Sequence, residues 1–338
     1  RAGRASRGVC AVEEGQDVVR RTLHAEGDPV EPGLDQSVER KHAKPWSLFF
    51  PHKAVHPDAE QAADGTFAIE GYRAAERHQD LYCDCVFPRK PNMLSPAEVL
   101  KSKPAWAEAF ELKRSETSRA MLSAIHSGEQ EEIRLRACMM AAVDEGVGML
   151  FEALERSGQL DNTFIVFLGD NGYFFGEHGL GPERRSPYEE GVRAPFVARF
   201  PRRIKAGSRV RDLVICQDIA PTLIQLAGGK PGAQIQGRSL LPLFAGRRTG
   251  WRRSLLVEYW AENAMPWLVG MTYKCVRTDR HKLIRWVNRN RNGELDELYD
   301  LESDPYELRN LARSRAHRAL RDKLGRELRK LTVEALGL

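Results

Sequence analysis

Apolar positions fall into distinct rhythms along the chain. From Glu131 to Arg156, Met139, Val143, Val147, Leu150 and Leu154 recur at spacings of three and four, which predicts an amphipathic helix. Gly158 is placed to stop it. Gln159–Asn162 then turns the chain into Thr163-Phe-Ile-Val-Phe-Leu168, a continuous β-branched and aromatic run. An apolar run without alternation predicts a strand covered on both faces, as in a parallel sheet. Trp46–Phe50, Arg193–Phe200 and Leu213–Cys216 are further short strand candidates. Asp218 is placed to cap a helix that accepts Pro221 in its first turn, runs over Thr222–Ala227 and ends at Gly228. Helix, short loop and buried strand make half of a βαβ unit, so an α/β body is expected.

From about Trp251 the style changes. Leu255–Trp260, Tyr273–Thr278, Lys282–Val287 and Glu297–Leu301 read as short strands joined by turn residues, Asn292-Gly293 among them. They predict a small antiparallel sheet. Leu320, Leu324, Leu328 and Leu331 mark a closing helix. Residues 58–128 are polar and loop-rich with weak helical stretches, and read as surface excursions over a site. Residues 1–34 show neither period and read as an irregular leader. The expected division is 1–34, an α/β body over 35–248, and the antiparallel subdomain over 249–338.

Composition adds limits. The 338 residues are 42% hydrophobic and 29% charged, an ordinary globular balance. No apolar stretch approaches the roughly 20 residues of a membrane span. The chain opens at Arg1 with no charged-then-apolar leader, so a missing N-terminal segment is expected. Net charge is +5, and 39 of the 52 basic residues are Arg. That excess suits an anionic substrate, and no nucleic-acid partner is expected. Six Cys are too few for a disulfide-stapled scaffold. Cys83 and Cys85 have no second Cys/His pair at zinc spacing and read as ordinary thiols.

Candidate chemistry begins where the apolar run ends. In open α/β sheets, ligands gather beyond the carboxyl ends of strands. The run ending at Leu168 delivers Gly169-Asp-Asn-Gly172 to that place. Asp170 and Asn171 offer hard oxygen donors suited to Ca²⁺ or Mg²⁺. Downstream stand Tyr173-Phe-Phe-Gly-Glu-His-Gly179, Glu183-Arg-Arg185, Tyr188-Glu-Glu190 and Arg193-Ala-Pro195. This ordered set resembles the sulfatase family of the alkaline-phosphatase-like superfamily. Family members read Ser-Asp-Asn-Gly-Tyr, Gly-Glu-His-Gly, Tyr-Glu-Glu and Arg-Val-Pro in the same order. His52-Lys-Ala-Val-His56, Asp218-Ile-Ala-Pro-Thr-Leu223, Gly237-Arg-Ser-Leu-Leu-Pro-Leu243 and the stretch Leu298–Ala312 extend the resemblance from about residue 40 to the end.

The resemblance implies an alkaline-phosphatase-like α/β sandwich with a mixed, mostly parallel sheet, followed by the antiparallel subdomain and its closing helix. Residues 35–248 would then form part of a catalytic domain. It implies sulfuric ester hydrolysis with Ca²⁺, Mg²⁺ being possible, on an anionic sulfate-ester substrate. Asp170 and Asn171 match two metal ligands. His56 matches the His that contacts the sulfate and protonates the leaving oxygen, and Lys53 a further sulfate contact. His178 lies in the active-site loop, where a structural role is the alternative. Arg184 stands where relatives carry a sulfate-binding Lys. Glu189 and Glu190 are expected to orient neighbours or pair with Arg193.

One part of the family pattern is not found. The nucleophile of these enzymes is a formylglycine made from the first residue of Cys/Ser-x-Pro-x-Arg, and no Cys of this sequence begins that motif. The early paired Asp that completes the metal site is likewise unmatched. The chain therefore resembles the C-terminal two thirds of a sulfatase, and no turnover is expected from these 338 residues. Two rivals stay open: a phosphonate or phosphate monoester hydrolase of the same superfamily, and a non-catalytic relative that binds anionic polymers. The particular ester, the oligomeric state and the compartment (periplasmic or secreted by resemblance) stay open as well.

Overall fold

The computed structural model describes residues 19–22, 45–61, 67–103, 105–106, 130–180, 184–260, 271–287 and 295–337. In chain order these carry strands β1 (Val19–Thr22), β2 (Trp46–Phe49), β3 (Asp58–Gln61) and β4 (Phe67–Gly71), then helices α1 (Pro96–Ser102) and α2 (Gln130–Arg156). Strand β5 (Ile165–Leu168), helix α3 (Glu189–Val192), strand β6 (Phe196–Arg199) and helices α4 (Ile219–Leu226) and α5 (Leu241–Phe244) follow. The chain closes with β7 (Ser254–Tyr259), β8 (Tyr273–Thr278), β9 (His281–Trp286), β10 (Glu297–Asp300) and helix α6 (Arg318–Ala335). The turn expected at Asn292-Gly293 lies outside the described residues. No helix among those described is long and apolar enough to cross a membrane.

Two compact units interleave along the sequence. The first takes residues 1–87, 129–164 and 200–202, and the second takes 88–128, 165–199 and 203–338. In the first unit, β1 pairs in parallel with β2, Val19 opposite Trp46 and Thr22 opposite Phe49. The segment read as an irregular leader thus holds a strand. Two arginines between Val19 and Thr22 hide any apolar period, and a neighbouring strand, not local pattern, decides the conformation. The polar stretch after residue 58 likewise yields an antiparallel hairpin, β3–β4. Helix α2 buries Cys138, Met139, Val143, Ala153 and Leu154. Cys138 and Met139 pack against Ala54, Val55, Tyr72 and Ala74. Its outward Glu145 receives Arg77 and His78, each at 2.7 Å. Gly158 ends the helix at φ 68°, a left-handed turn that suits Gly. Just beyond it, the Gln159 side chain accepts the Trp46 indole N–H at 3.0 Å.

In the second unit the strand order β10-β9-β8-β7 is antiparallel throughout. Period-two alternation divides its residues between two faces. Val276, Leu283 and Leu298 join Leu324 and Leu328 of α6 in one core cluster. Cys275, Ile284, Trp286 and Tyr299 form the opposite cluster with Val99, Trp106, Phe174, Leu180 and Tyr188. The sheet is therefore sandwiched, and Leu283, Ile284, Leu298 and Tyr299 are fully buried.

Strand β5 departs from expectation. Its partner is β6 and the ladder is antiparallel, Ile165 opposite Arg199 and Leu168 opposite Phe196. Phe167 and Leu168 are each 38% exposed, and Val197 is 64% exposed. The run is apolar as read, but its faces are not both covered. Leu213–Cys216 is not a strand either, because its backbone is engaged by side chains. The Leu213 carbonyl accepts the Trp251 indole at 2.8 Å, and the Ile215 N–H donates to Asp218 at 3.0 Å. Nor does Asp218 cap α4 with its side chain. Its buried carboxylate takes two guanidinium bonds from Arg252, at 2.5 and 2.6 Å, and the Arg238 N–H at 2.8 Å.

Candidate functional site

The tip of β5 is set by glycines that have no room for a side chain. A Cβ on Gly172 would sit 1.9 Å from the Glu190 carbonyl oxygen, and one on Gly169 would sit 2.8 Å from the Pro195 ring. These close approaches let Gly169 N–H donate to the Pro195 carbonyl at 3.0 Å and Gly172 N–H to the Gly191 carbonyl at 2.9 Å. The turn between them presents Asp170, which is exposed, and Asn171, which is half-buried. Asp170 makes no ion pair among the described residues. The Asn171 amide nitrogen donates to the Gly172 carbonyl at 2.6 Å, which leaves the side-chain carbonyl as an acceptor. A carboxylate and an amide oxygen, side by side and outward, fit a hard divalent cation in donor chemistry.

His178 sits differently. It is 1% exposed and adopts a left-handed backbone at φ 55°. Its N–H donates to the Asn92 carbonyl at 2.5 Å, its ring stacks on Tyr188 at 4.1 Å, and its Nε2 lies 3.3 Å from Glu190. Burial, reinforced by nearby Lys103, holds its pKa down to about 3 against the pull of Glu190. The ring is neutral at pH 7, and its one remaining N–H is no acid for an ester. The preceding Glu177, also buried, is held by the Lys90 ammonium at 2.5 Å. This gives the Gly-Glu-His-Gly loop a structural anchor.

Beneath it lies a cluster that the sequence did not announce. The buried Lys282 ammonium reaches Glu189 at 2.7 Å, Glu307 at 2.8 Å and the Pro187 carbonyl at 3.0 Å. Glu307, itself left-handed at φ 52°, accepts the Glu189 N–H at 2.7 Å. Lys103 donates to the Tyr299 hydroxyl at 2.7 Å and the Glu307 carbonyl at 2.9 Å, and stands 4.0 Å over the Tyr188 ring. Glu297 accepts the Trp286 indole at 3.0 Å. Burial pulls the Lys282 pKa down, but Glu307 and Glu189 outweigh it and raise it. Burial likewise opposes the charge on Glu189, yet Lys282 and Arg277 bring it down to about 2. Glu189 and Glu190 thus pair with Lys282, Arg277 and His178, not with Arg193. Ligand atoms of His178, Glu190 and Glu307 also lie within 4.8 Å of one another, an arrangement that offers a metal three donors. Lys282 already neutralises Glu307 there.

Arg184 is half-buried on the same segment, whose Arg185 carbonyl accepts the Tyr273 hydroxyl at 2.9 Å. Asp170, Asn171, His178 and Arg184 all belong to the second unit, and the Tyr188–Pro195 segment touches both the β5 tip and the His178 ring. Lys53 and His56 belong to the first unit, both exposed. The His56 N–H closes a turn on the Lys53 carbonyl at 2.9 Å. Its Nδ1 lies 2.9 Å from the Pro57 carbonyl, which only accepts, so Nδ1 carries the proton and Nε2 faces outward as the basic nitrogen.

Comparison with known proteins decides the family. The sulfatase model matches residues 30–229, and a second model, the C-terminal part of N-sulphoglucosamine sulphohydrolase, matches 176–334. The chain belongs to the sulfatase family. It is 36% identical over 190 residues to the N-acetylglucosamine-6-O-sulfatase of Bacteroides thetaiotaomicron, covering 54% of this chain and 32% of that protein. The chain thus spans about a third of that relative's length. A protein solved in complex with its substrate D-glucosamine-2-N,6-O-disulfate superimposes with TM-score 0.68 at 25% identity, over 89% of this chain and 68% of the other. The phosphonate monoester hydrolase of Silicibacter pomeroyi shares the fold, with TM-score 0.65 at 20% identity over 85% and 56%. The alkaline-phosphatase-like α/β fold with its small antiparallel sheet is therefore established for this sulfatase chain.

Sequence reading of the sulfatase motifs missed Lys103, Lys282, Glu297 and Glu307. A signal existed for two of them. Lys282, Ile284 and Trp286 alternate onto one face, as do Glu297 and Tyr299, and an ionisable residue in phase with buried aromatics must be paired. Lys103 and Glu307 carry no comparable signal.

Proposed function

We propose that this chain carries the metal-holding and anion-binding part of a sulfuric ester hydrolase acting on sulfated sugars. The observation that carries the reading is the Asp170–Asn171 pair, fixed at the β5 tip by backbone contacts that exclude any side chain at Gly172. A Ca²⁺ ion held there would draw negative charge from the sulfate oxygens as the ester bond breaks. Two oxygens fall short of the roughly six to eight that calcium takes, so other residues or water complete its shell. The remaining roles fall to side chains of the chain itself. Arg184 supplies a guanidinium fork for two sulfate oxygens, and Lys53, on the first unit, is an anion contact of that unit. In the first unit, His56 is the candidate acid: its ring is oriented by the Nδ1–Pro57 bond, and a second proton taken up on Nε2 is the one it would pass to a leaving oxygen. His178 holds Glu190, and through it the Tyr188–Pro195 segment, as a positioning residue. The sulfated-sugar substrate is supported by the relative named for N-acetylglucosamine 6-sulfate chemistry and by the neighbour solved with a disulfated glucosamine.

Calorimetric titration of the purified chain with glucosamine 6-sulfate, with and without Ca²⁺, tests this. Ca²⁺-dependent binding is expected, abolished by Asp170→Ala and weakened at least about tenfold by Arg184→Ala, as loss of a charge-assisted contact implies. Binding indifferent to Ca²⁺ and to Asp170→Ala would overturn the assignment. Tighter Ca²⁺-dependent binding of a phosphonate monoester would replace it with the phosphonate reading that the shared fold also accommodates.

A further inference from the structure

The outer face of the C-terminal sheet carries a charged hollow that no catalytic role uses. Helix α6 holds six basic residues against three acidic ones. Midway along it, Gly325 is buried although it lies on the side of Arg285 and Arg329. Around it opens a cavity of about 270 Å³ lined by Arg285, Arg321, Asp322, Gly325, Arg326 and Arg329. Two of these guanidinium groups are fixed in place. Arg285 forks onto Asp296 at 3.1 and 2.8 Å, and Arg321 donates to the Ala312 carbonyl at 2.9 Å. Arg326 and Arg329 are exposed and have no ion-pair partner among the described residues. Asp322 lies 3.9 Å from Arg321. Four guanidinium groups face two carboxylates, Asp296 and Asp322, which leaves an excess of two positive charges.

Gly325 makes this more than a solvated basic surface. Glycine in a helix interior is costly relative to alanine. Sterics do not require it here: a Cβ would meet only Arg285 at 3.8 Å and Arg329 at 4.0 Å, ordinary contact distances, and the backbone is helical. Its consequence is the open floor of the hollow. The size suits one anionic group or one sugar unit, and the lining is guanidinium, which forks onto sulfate and carboxylate oxygens. No aromatic ring lines it, so it lacks the stacking platform by which single-stranded nucleic acids are held.

We propose that the Arg285–Arg321–Arg326–Arg329 hollow is a second anion subsite that holds a sulfate or carboxylate group of a polyanionic sugar chain. The choice of a sugar chain over other polyanions rests on the sulfate-ester reading above. The hollow itself rests on Gly325 and its ring of arginines.

The test measures binding of a heparin-derived octasaccharide to the full chain in 0.15 M salt. The double substitution Arg326→Ser/Arg329→Ser, at two exposed positions, is expected to weaken binding at least about tenfold and to lower the salt slope by about two. Gly325→Leu removes no charge but fills the hollow, and should weaken binding comparably while the thermal transition is retained. A general basic face would tolerate it. Ca²⁺-dependent binding of glucosamine 6-sulfate should be unchanged in both variants, so loss of octasaccharide binding alone separates this subsite from the metal site. Octasaccharide affinity unaltered by both variants would overturn the proposal. Single-stranded DNA bound more tightly than the octasaccharide would overturn its assignment to a sugar chain. Octasaccharide binding in which only Asp170→Ala has an effect would place the anion at the metal turn instead.

Discussion

The β5–β6 ladder and the β7–β10 sheet are built from the same kinds of residue and come out differently. Phe167, Leu168 and Val197 remain 38 to 64% exposed, while Leu283, Ile284, Leu298 and Tyr299 reach zero. What separates them is cover. The C-terminal sheet has α6 on one face and Val99, Trp106, Phe174, Leu180 and Tyr188 on the other, whereas β5 among the described residues pairs with β6 alone. Burial follows from what the rest of the chain lays over a strand, and an apolar run states only that cover would be favourable. The sheet has the added demand of a buried ionic cluster, which pins it to the Tyr188–Pro195 segment and so to the β5 tip.

The largest effect should come from that cluster. Lys282→Met leaves Glu307 and Glu189 buried without their ammonium, and a loss of about 3–5 kcal/mol is expected from the urea midpoint. A loss below about 1 kcal/mol would mean that the cluster does not secure the sheet. Next, Leu283→Ala should cost about 2–5 kcal/mol, as a fully buried side chain does, and Phe167→Ala about 1 kcal/mol or less. Equal losses at the two positions would erase the contrast between the ladders.

The last effect is one of slope. His178 titrates near 3 in the folded chain against an ordinary 6.5, so between those values the unfolded state binds more protons and stability rises with pH. This contribution is complete above about pH 6.5 and is lost as pH falls toward 3, at no more than about 1.4 kcal/mol per pH unit. Glu189 and Glu190, lowered to about 2, act in the same direction but only below their ordinary 4.5. His178→Gln should therefore flatten stability against pH between 4.5 and 6.5. An unchanged slope there would show the imidazole to be charged in the fold.

Much of this architecture is legible in the residues. The three-and-four spacing of α2, the alternation in β8 to β10 and the leucines of α6 all state their partners' geometry, because each element buries one face. The turn at the β5 tip is legible for a similar reason, since Gly169 and Gly172 bracket Asp170 and Asn171 where no side chain fits. What escaped reading depends on distant partners. Val19–Thr22 is a strand because Trp46–Phe49 lies beside it, and Leu213–Cys216 is not one because Trp251, Arg252 and Asp218 claim its backbone. His178 has the sequence context of a catalytic residue. Its neutrality comes from burial, reinforced by Lys103, which lies 75 residues away in the chain and offers no local pattern.

The contacts at Gly169 and Gly172 carry one more implication. They fasten both ends of the intervening stretch, from Tyr173 to Glu190, to each other through Pro195 and Gly191. A stretch closed at its base can vary in length at its middle without shifting either end. Changes of length inside that stretch would therefore leave Asp170 and Asn171 their footing.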